Sequence, residues 1–183
     1  VPDPLHINDV EEVISDTNFT KKGNLFLSLG HTNMILLINP NTKKILWKLS
    51  DKLFHQHDVD IINDDEIAIF NNNRIITNKD KVFKNNEINV YNFKTNELSS
   101  PYDKILNDND VKTVNQGLME ITEYGIFVEE QNSGRYIFFE KNGNVIFEYL
   151  NKSDNNSYVY QVHWSRLITN KDKINEIKRN LKK

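Results

Sequence analysis

The chain has 183 residues, with 23 Lys and Arg against 26 Asp and Glu, and a formal charge of −3. This balance provides no basic field for nucleic acid or an anionic membrane surface, and the absence of cysteine excludes disulfides, thiolate metal sites and cysteine nucleophiles. The longest apolar run, MILLI at residues 34–38, is far shorter than the roughly 20 residues of a membrane-spanning helix. Because residue 1 is valine, we expect the chain to begin inside a longer protein.

Strands are predicted from residue 5 to residue 168, because short runs rich in Ile, Val, Phe and Tyr alternate there with turn residues. The first unit covers about residues 5–50 and opens with HINDVEEV from His6. Two of its later runs, MILLI and KILWKL, are separated by the turn NPNTKK at 39–44, which predicts an antiparallel hairpin.

Two further units follow the same plan. The second covers about residues 53–100, opens with HQHDVDII from His55, and is lengthened by a long insertion. The third covers about residues 111–150, opens with VNQGLMEI from Val114, and ends in a hairpin with an Asn-Gly turn. A four-stranded unit therefore occurs three times, which is typical of propeller blades.

The end of the strand region, QVHWSRLI from Gln161, predicts the inner strand of another blade at about 158–168. Propellers need about four to eight blades to close. The fold prediction is therefore an all-β, incomplete β-propeller over residues 1–169, with the remaining blades supplied by a longer chain or by another chain. A curved sheet or a β-sandwich is the alternative fold.

A short basic amphipathic helix is predicted at residues 170–183. Its apolar residues Ile174, Ile177 and Leu181 lie on one side. We expect this helix to cap a sheet edge rather than to bind a membrane.

Polar residues recur where the predicted inner strands begin. The third position of the four aligned segments holds Asn8, His57, Gln116 and His163. Strand alternation would place His6 with Asn8, and His55 with His57. A ring of imidazoles and amides at a channel mouth suits an anion or a metal ion. The alternative is that each side chain only satisfies a strand end, with His31 and His163 as ordinary histidines.

The segments HINDV, SLGHTNMILLINPNTKKILWKL and FHQHDVDIINDDEIAIFNNN resemble the arylsulfotransferase-type propeller family, bacterial enzymes that move sulfate between phenols. GRYIFFEKNGNVIFEYLN is similar to the closing blades of that family. The resemblance covers nearly the whole chain and implies the C-terminal portion of such a propeller in an extracytoplasmic bacterial setting.

The resemblance also implies a reaction and its residues. His57 matches the histidine that becomes transiently sulfated, and His6 and Asn8 match the pair that contacts the sulfuryl group. Transfer from an aryl sulfate to a phenol would follow a ping-pong course without a cofactor or a nucleotide sulfate donor. Further candidate substrate contacts are His31, His55, His163 and Tyr160.

One position departs from the family pattern. Gly30 stands where the family commonly has arginine, with His31 beside it. A protonated His31 could replace that cation; otherwise the protein would bind an anion or another ligand without turnover. Two other functions stay open: metal binding by His55 and His57 with Asp58 or His6, and a propeller without chemistry.

Overall fold

The computed structural model describes residues 3–77 and 79–181. Within these ranges the chain forms fourteen strands and two α-helices, in this order: β1 (Ile7–Glu12), β2 (Leu25–Leu29), β3 (Met34–Asn39), β4 (Lys44–Leu49), β5 (Val59–Ile61), β6 (Glu66–Asn71), β7 (Arg74–Ile76), β8 (Lys81–Phe83), β9 (Glu87–Asn92), β10 (Glu97–Ser99), α1 (Asp103–Asp108), β11 (Leu118–Ile121), β12 (Ile126–Glu130), β13 (Arg135–Phe139), β14 (Val145–Leu150) and α2 (Lys171–Asn180).

Twelve of the strands build three antiparallel four-stranded sheets, which confirms the predicted all-β fold with three propeller blades. Blade 1 has the order β1-β2-β3-β4, blade 2 has β5-β6-β9-β10, and blade 3 has β11-β12-β13-β14. The predicted insertion in blade 2 is a separate hairpin, β7–β8, between β6 and β9. Both turns read from the sequence connect antiparallel neighbours, β3 with β4 and β13 with β14.

Carboxylates join each inner strand to the next blade. The Val59 N–H of blade 2 donates to Asp9 Oδ2 of blade 1 at 3.1 Å. The Met119 N–H of blade 3 donates to Asp58 Oδ2 of blade 2 at 2.9 Å. These two hydrogen bonds from backbone N–H groups to carboxyl oxygens hold neighbouring inner strands side by side.

The core lies between adjacent blades. Phe26, Ile35 and Leu53 pack with residues of β6 between blades 1 and 2, while Phe70 and Phe139 belong to a second cluster between blades 2 and 3. β6 is therefore buried along nearly its whole length, because it has a blade on each side. By contrast, all six residues of β14 are exposed, so blade 3 has no neighbour on this side within the described residues.

Two elements differ from the sequence expectation. Residues 158–168 form no strand ladder and make one isolated bridge, between Lys152 and Val159. The segment instead runs along blade 3, where the Leu167 N–H donates to Glu120 Oε2 at 3.0 Å. A strand exists only where backbone partners are available, and the described residues offer none for a further blade. Helix α1 was not predicted, because its single buried apolar residue, Leu106, produces no helical period.

The predicted C-terminal helix is present as α2. Its first turn is capped by Asn170, whose side chain accepts from the Lys173 N–H at 3.0 Å. Its apolar side is not covered, since Leu181 is 81% exposed, so the expected packing against a sheet edge is not seen among the described residues. Residues 182 and 183 of the predicted helix lie outside the described residues. Neither described helix is long and apolar enough to cross a membrane.

Candidate functional site

Four of the five histidines line one pocket at the entrance to the inner strands. This histidine pocket has a volume of about 250 Å³ and is formed by His6, His31, His55, His57, Arg74, Asn115 and Gln116. A second cavity of about 550 Å³ adjoins it and shares His31, His55 and Arg74. Pro4 and Ile76 add apolar surface to that side cavity.

The backbone, rather than strand alternation, brings these side chains together. His6, His55 and Gln116 have left-handed backbone conformations, with φ of 52°, 59° and 63°. Each lies just before an inner strand, so the same strained turn recurs in three blades. The expectation that alternation within a strand pairs His55 with His57 was wrong, because β5 begins only at Val59.

Three imidazole rings form a stack in the pocket. The ring centroids of His6 and His31 are 4.3 Å apart with an angle of 13° between planes, and His55 lies 6.3 Å from His6 and 5.9 Å from His31. Asp3 orients two of these rings: His6 Nδ1 lies 2.7 Å from its carboxylate, and His31 Nδ1 lies 2.9 Å from its main-chain oxygen. Because both partners accept, each Nδ1 carries a proton and each Nε2 is left for a ligand.

Burial keeps His57 neutral. Desolvation, followed by the neighbouring His55 and His6, lowers its pKa to about 4, and a hydrogen bond with the Gly117 backbone acts in the opposite direction. A ring N–H that donates to a carbonyl leaves the other ring nitrogen with a free lone pair. His57 is therefore a neutral imidazole at pH 7, the form that can act as a nucleophile.

His55 is held neutral for similar reasons. Burial lowers its pKa to about 4, followed by the charge of Arg74 and then by His31 and His6. Its Nε2 lies 3.2 Å from Arg74 Nη1. A guanidinium can only donate, so this nitrogen of His55 accepts.

Asn8 explains why position 30 is a glycine. The Asn8 side chain donates from Nδ2 to the Gln56 main-chain oxygen at 2.9 Å. A Cβ at Gly30 would lie 2.6 Å from that same nitrogen, which is closer than non-bonded atoms approach. No side chain can occupy position 30 while Asn8 keeps this bond.

Arg74 was missed by sequence reasoning. It is the first residue of β7 in the inserted hairpin, and its guanidinium lines the histidine pocket and bonds to Asn115 Oδ1. An arginine in an insertion of this kind carries no periodic signal. Only the tertiary structure shows that the hairpin turns its first residue toward the histidines.

Two predicted substrate contacts lie elsewhere. His163 is exposed and bonds to Gln131 of blade 3, and Tyr160 is 57% exposed and pairs through its backbone with Asn151. Neither lines the histidine pocket. In the part of the chain that the structure describes, no three His, Cys, Asp or Glu side chains are arranged to hold a metal ion.

A second polar cavity lies along the inner strands. This acidic cavity, of about 350 Å³, contains five carboxylates and one guanidinium: Asp9, Glu11, Asp58, Asp60, Glu120 and Arg166. Burial raises the pKa of Asp60 to about 7, with Glu11, Asp9 and Glu120 adding to the shift and Arg166 opposing it. Burial also raises the pKa of Asp58 well above its usual value.

Comparisons with known proteins agree with this architecture. The family model described as arylsulfotransferase (ASST) matches residues 1–152. No curated protein matches the sequence. Among solved structures, the WD40 β-propeller domain of Doa1 has a TM-score of 0.50 at 8% identity, over 82% of this chain and 45% of that one.

Two other propeller structures are more distant. The Pan2 WD40 domain of Neurospora crassa has a TM-score of 0.38 at 13% identity, over 65% of this chain and 34% of its own. Hsv2 of Kluyveromyces marxianus has a TM-score of 0.34 at 8% identity, over 69% and 32%. The chain thus spans less than half the length of each of these solved propellers.

Proposed function

Since the chain belongs to the arylsulfotransferase family, we propose that its histidine pocket transfers a sulfuryl group from an aryl sulfate to a phenol. The observation that carries this proposal is the convergence of a neutral His57 with three other imidazoles in one pocket. His57 is the nucleophile in this proposal, and His6 contacts the group that is transferred. Asn8 does not line the histidine pocket; its amide holds the Gln56 backbone between His55 and His57.

The chemistry balances in two displacements. The free ring nitrogen of His57 attacks sulfur, an N–S bond forms, the S–O bond to the aryl group breaks, and a phenolate leaves. An acceptor phenol then attacks the same sulfur, the N–S bond breaks, and His57 returns to its starting form. The proton lost by the acceptor compensates the one taken up by the departing phenolate, so no further reactant is needed.

The neighbouring groups fit these steps. Because Asp3 occupies Nδ1 of His6 and of His31, Nε2 of either ring donates to a sulfuryl oxygen only when that ring carries both protons, and an imidazolium would then also offset charge on the transferred group. The side cavity of about 550 Å³ next to His31 and His55 is large enough for an aryl ring, and Ile76 provides apolar contact there.

The test is intact-mass analysis of the full-length protein after incubation with p-nitrophenyl sulfate. We expect a labile adduct of one sulfuryl group on the wild type and on His163→Ala, which changes a histidine outside the pocket. The variant His57→Ala should carry no adduct. A folded wild type that neither forms the adduct nor releases nitrophenol would contradict the proposal for this donor.

Gly30 favours a second candidate function. Without the arginine that the family commonly has at this position, the pocket could retain a sulfate-like anion without transferring it. Tight binding of inorganic sulfate by a wild type that forms no adduct would identify the protein as an anion-binding propeller.

We also propose that further propeller blades cover the free sides of blades 1 and 3. Three blades do not close a ring, and the chain matches 45% of the Doa1 propeller domain. The free side of blade 3 carries apolar side chains that a neighbouring blade would bury, among them Phe147 and Tyr149.

A further inference from the structure

We propose that Arg74, at the start of the inserted hairpin, supplies the cation that holds the sulfuryl group, in place of the arginine absent at position 30. This inference rests on the proposed function, because it assigns a role within the same pocket. The nearest alternative is that Arg74 only links the hairpin to blade 2 and never contacts a ligand.

Hydrogen bonds of both its backbone and its guanidinium fix the position of Arg74. Its backbone N–H donates to the Phe54 oxygen at 3.1 Å, which attaches β7 to the loop that carries His55 and His57. Its guanidinium reaches His55 Nε2 at 3.2 Å and lines both the histidine pocket and the side cavity. The group therefore stands where a substrate would pass from the aryl cavity to the nucleophile.

The charge of Arg74 has no counter-charge. Among the described residues, no Asp or Glu forms an ion pair with Arg74. Its assigned side-chain partners, His55 and Asn115, are neutral, and His55 is kept neutral partly by this guanidinium. Arginines inside proteins are normally paired with carboxylates, so an unpaired one beside four imidazoles indicates a site for an anion.

An unused donor points to the same conclusion. Arg74 Nε is buried and has no hydrogen-bond partner among the described residues. Leaving a buried donor without a partner destabilises the folded protein, and the cost is larger when the donor belongs to a charged group. A tetrahedral anion next to the guanidinium could accept from Nε and Nη together, since the planar fork of arginine matches two oxygens of such a group.

Gly30 and Arg74 are complementary. A side chain at position 30 would displace Asn8, because a Cβ there lies 2.6 Å from Asn8 Nδ2. With glycine at this position, Asn8 stays bonded to the Gln56 backbone and the cation enters from blade 2 instead of blade 1.

The experiment compares Arg74→Gln and Arg74→Lys with Lys81→Gln, a matched control on the exposed strand of the same hairpin. By analogy with the removal of other oxyanion donors, Arg74→Gln should slow adduct formation on His57 about 100-fold or more. Arg74→Lys should recover only part of that loss, because an ammonium lacks the paired donors. Lys81→Gln should react at the wild-type rate.

Chemical rescue separates a ligand contact from a structural link. Free guanidinium ion should restore part of the rate in Arg74→Ala and leave the wild type unchanged, because only a missing contact can be replaced from solution. A folded Arg74→Gln variant that transfers at the wild-type rate would overturn the proposal. A slow variant with no rescue and a lowered melting temperature would also overturn it, in favour of a structural link.

Calorimetric binding of inorganic sulfate tests the role of Arg74 without requiring sulfuryl transfer. If the wild type forms no adduct but binds sulfate at least 10-fold more tightly than Arg74→Gln, transfer fails while the anion-holding role of Arg74 stands. Equal binding by the two proteins, or no binding by the wild type, would refute the role of Arg74.

Discussion

The ring of His57 is neutral and lies among other imidazoles. The fold produces both properties, since an isolated histidine side chain would have neither. An exposed histidine has a pKa near 6.5, and burial beside His55 and His6 lowers that of His57 to about 4. At the scale of single residues, the pocket is therefore prepared for attack at neutral and mildly acidic pH.

This low pKa predicts an unusual pH profile. The acidic fall in the rate of adduct formation, where protonation removes the lone pair of His57, should have its midpoint near pH 4 rather than near pH 6.5. Stopped-flow release of nitrophenol, corrected for the ionisation of the product, measures this profile. A half-maximal rate near pH 6.5 would contradict a buried, neutral His57.

The proposed sulfuryl transfer would depend on residues whose importance the residue types alone do not reveal. His6, Asn8 and His57 could be named from the sequence, because the resemblance carried them. Arg74 could not, because its distance from His55 depends on the fold of an insertion. The role of Gly30 also needed the structure, since it follows from the space that Asn8 occupies.

The inner strands join the blades, and several carboxyl groups are crowded along them. Burial and mutual repulsion make the charged forms of these groups unfavourable. Asp60 of β5 faces Asp9, Glu11, Asp58 and Glu120, with Arg166 as the cation in the same cavity. Because burial and like charges raise the pKa of Asp60 to about 7, the folded protein holds a proton that the unfolded chain has lost above about pH 4. Its contribution to stability is present at low pH and is lost as the pH rises through 7.

Asp60→Asn should therefore stabilise the protein most at pH 8 and less at pH 5, because the stability lost through ionisation of Asp60 accumulates between about pH 4 and pH 7. An amide keeps the shape and removes the charge, so we expect a gain on the order of 1–3 kcal/mol at pH 8. Urea unfolding at the two pH values measures the difference, with Asp64→Asn in an exposed turn as the control. An equal effect at both pH values would show that Asp60 titrates normally.

His55 and His57 act on stability in the opposite direction. Their pKa values near 4 lie below those of the unfolded chain, so the unfolded state binds more protons between about pH 6.5 and pH 4. The free energy of unfolding from these two groups therefore falls as the pH is lowered through this range. Comparing wild type with Asp60→Asn at each pH cancels that contribution.

The described residues form three blades, and blades 1 and 3 each have one side that no other described blade covers. Blade 2 is covered on both faces, whereas the outer strand of blade 3 exposes large apolar side chains such as Phe147, which is 50% exposed. Contiguous exposed apolar surface is typical of an interface. At the scale of the whole molecule, the proposed further blades explain why the free sides are apolar.

The effect of Phe147→Ala on the free energy of unfolding shows whether a further blade covers the free side of blade 3. In a full-length protein that carries the further blades, this substitution should cost about 3 kcal/mol or more, as it does for a buried phenylalanine. The matched control Tyr124→Ala, at a turn where the side chain is 55% exposed, should cost less than about 0.5 kcal/mol. Urea unfolding of both variants gives the comparison, and equal small costs would mean that blade 3 is a free edge.

The sequence by itself determined the repeating four-stranded unit, the two hairpin turns, the family and the histidines at the blade openings. These features depend on local patterns, since alternation of apolar residues and turn chemistry act over a few residues. The tertiary structure alone decided that residues 158–168 form no strand ladder, that left-handed turns rather than strand alternation present His6 and His55, and that Arg74 reaches the pocket. Each of these depends on contacts between segments far apart in the chain, which no local pattern encodes.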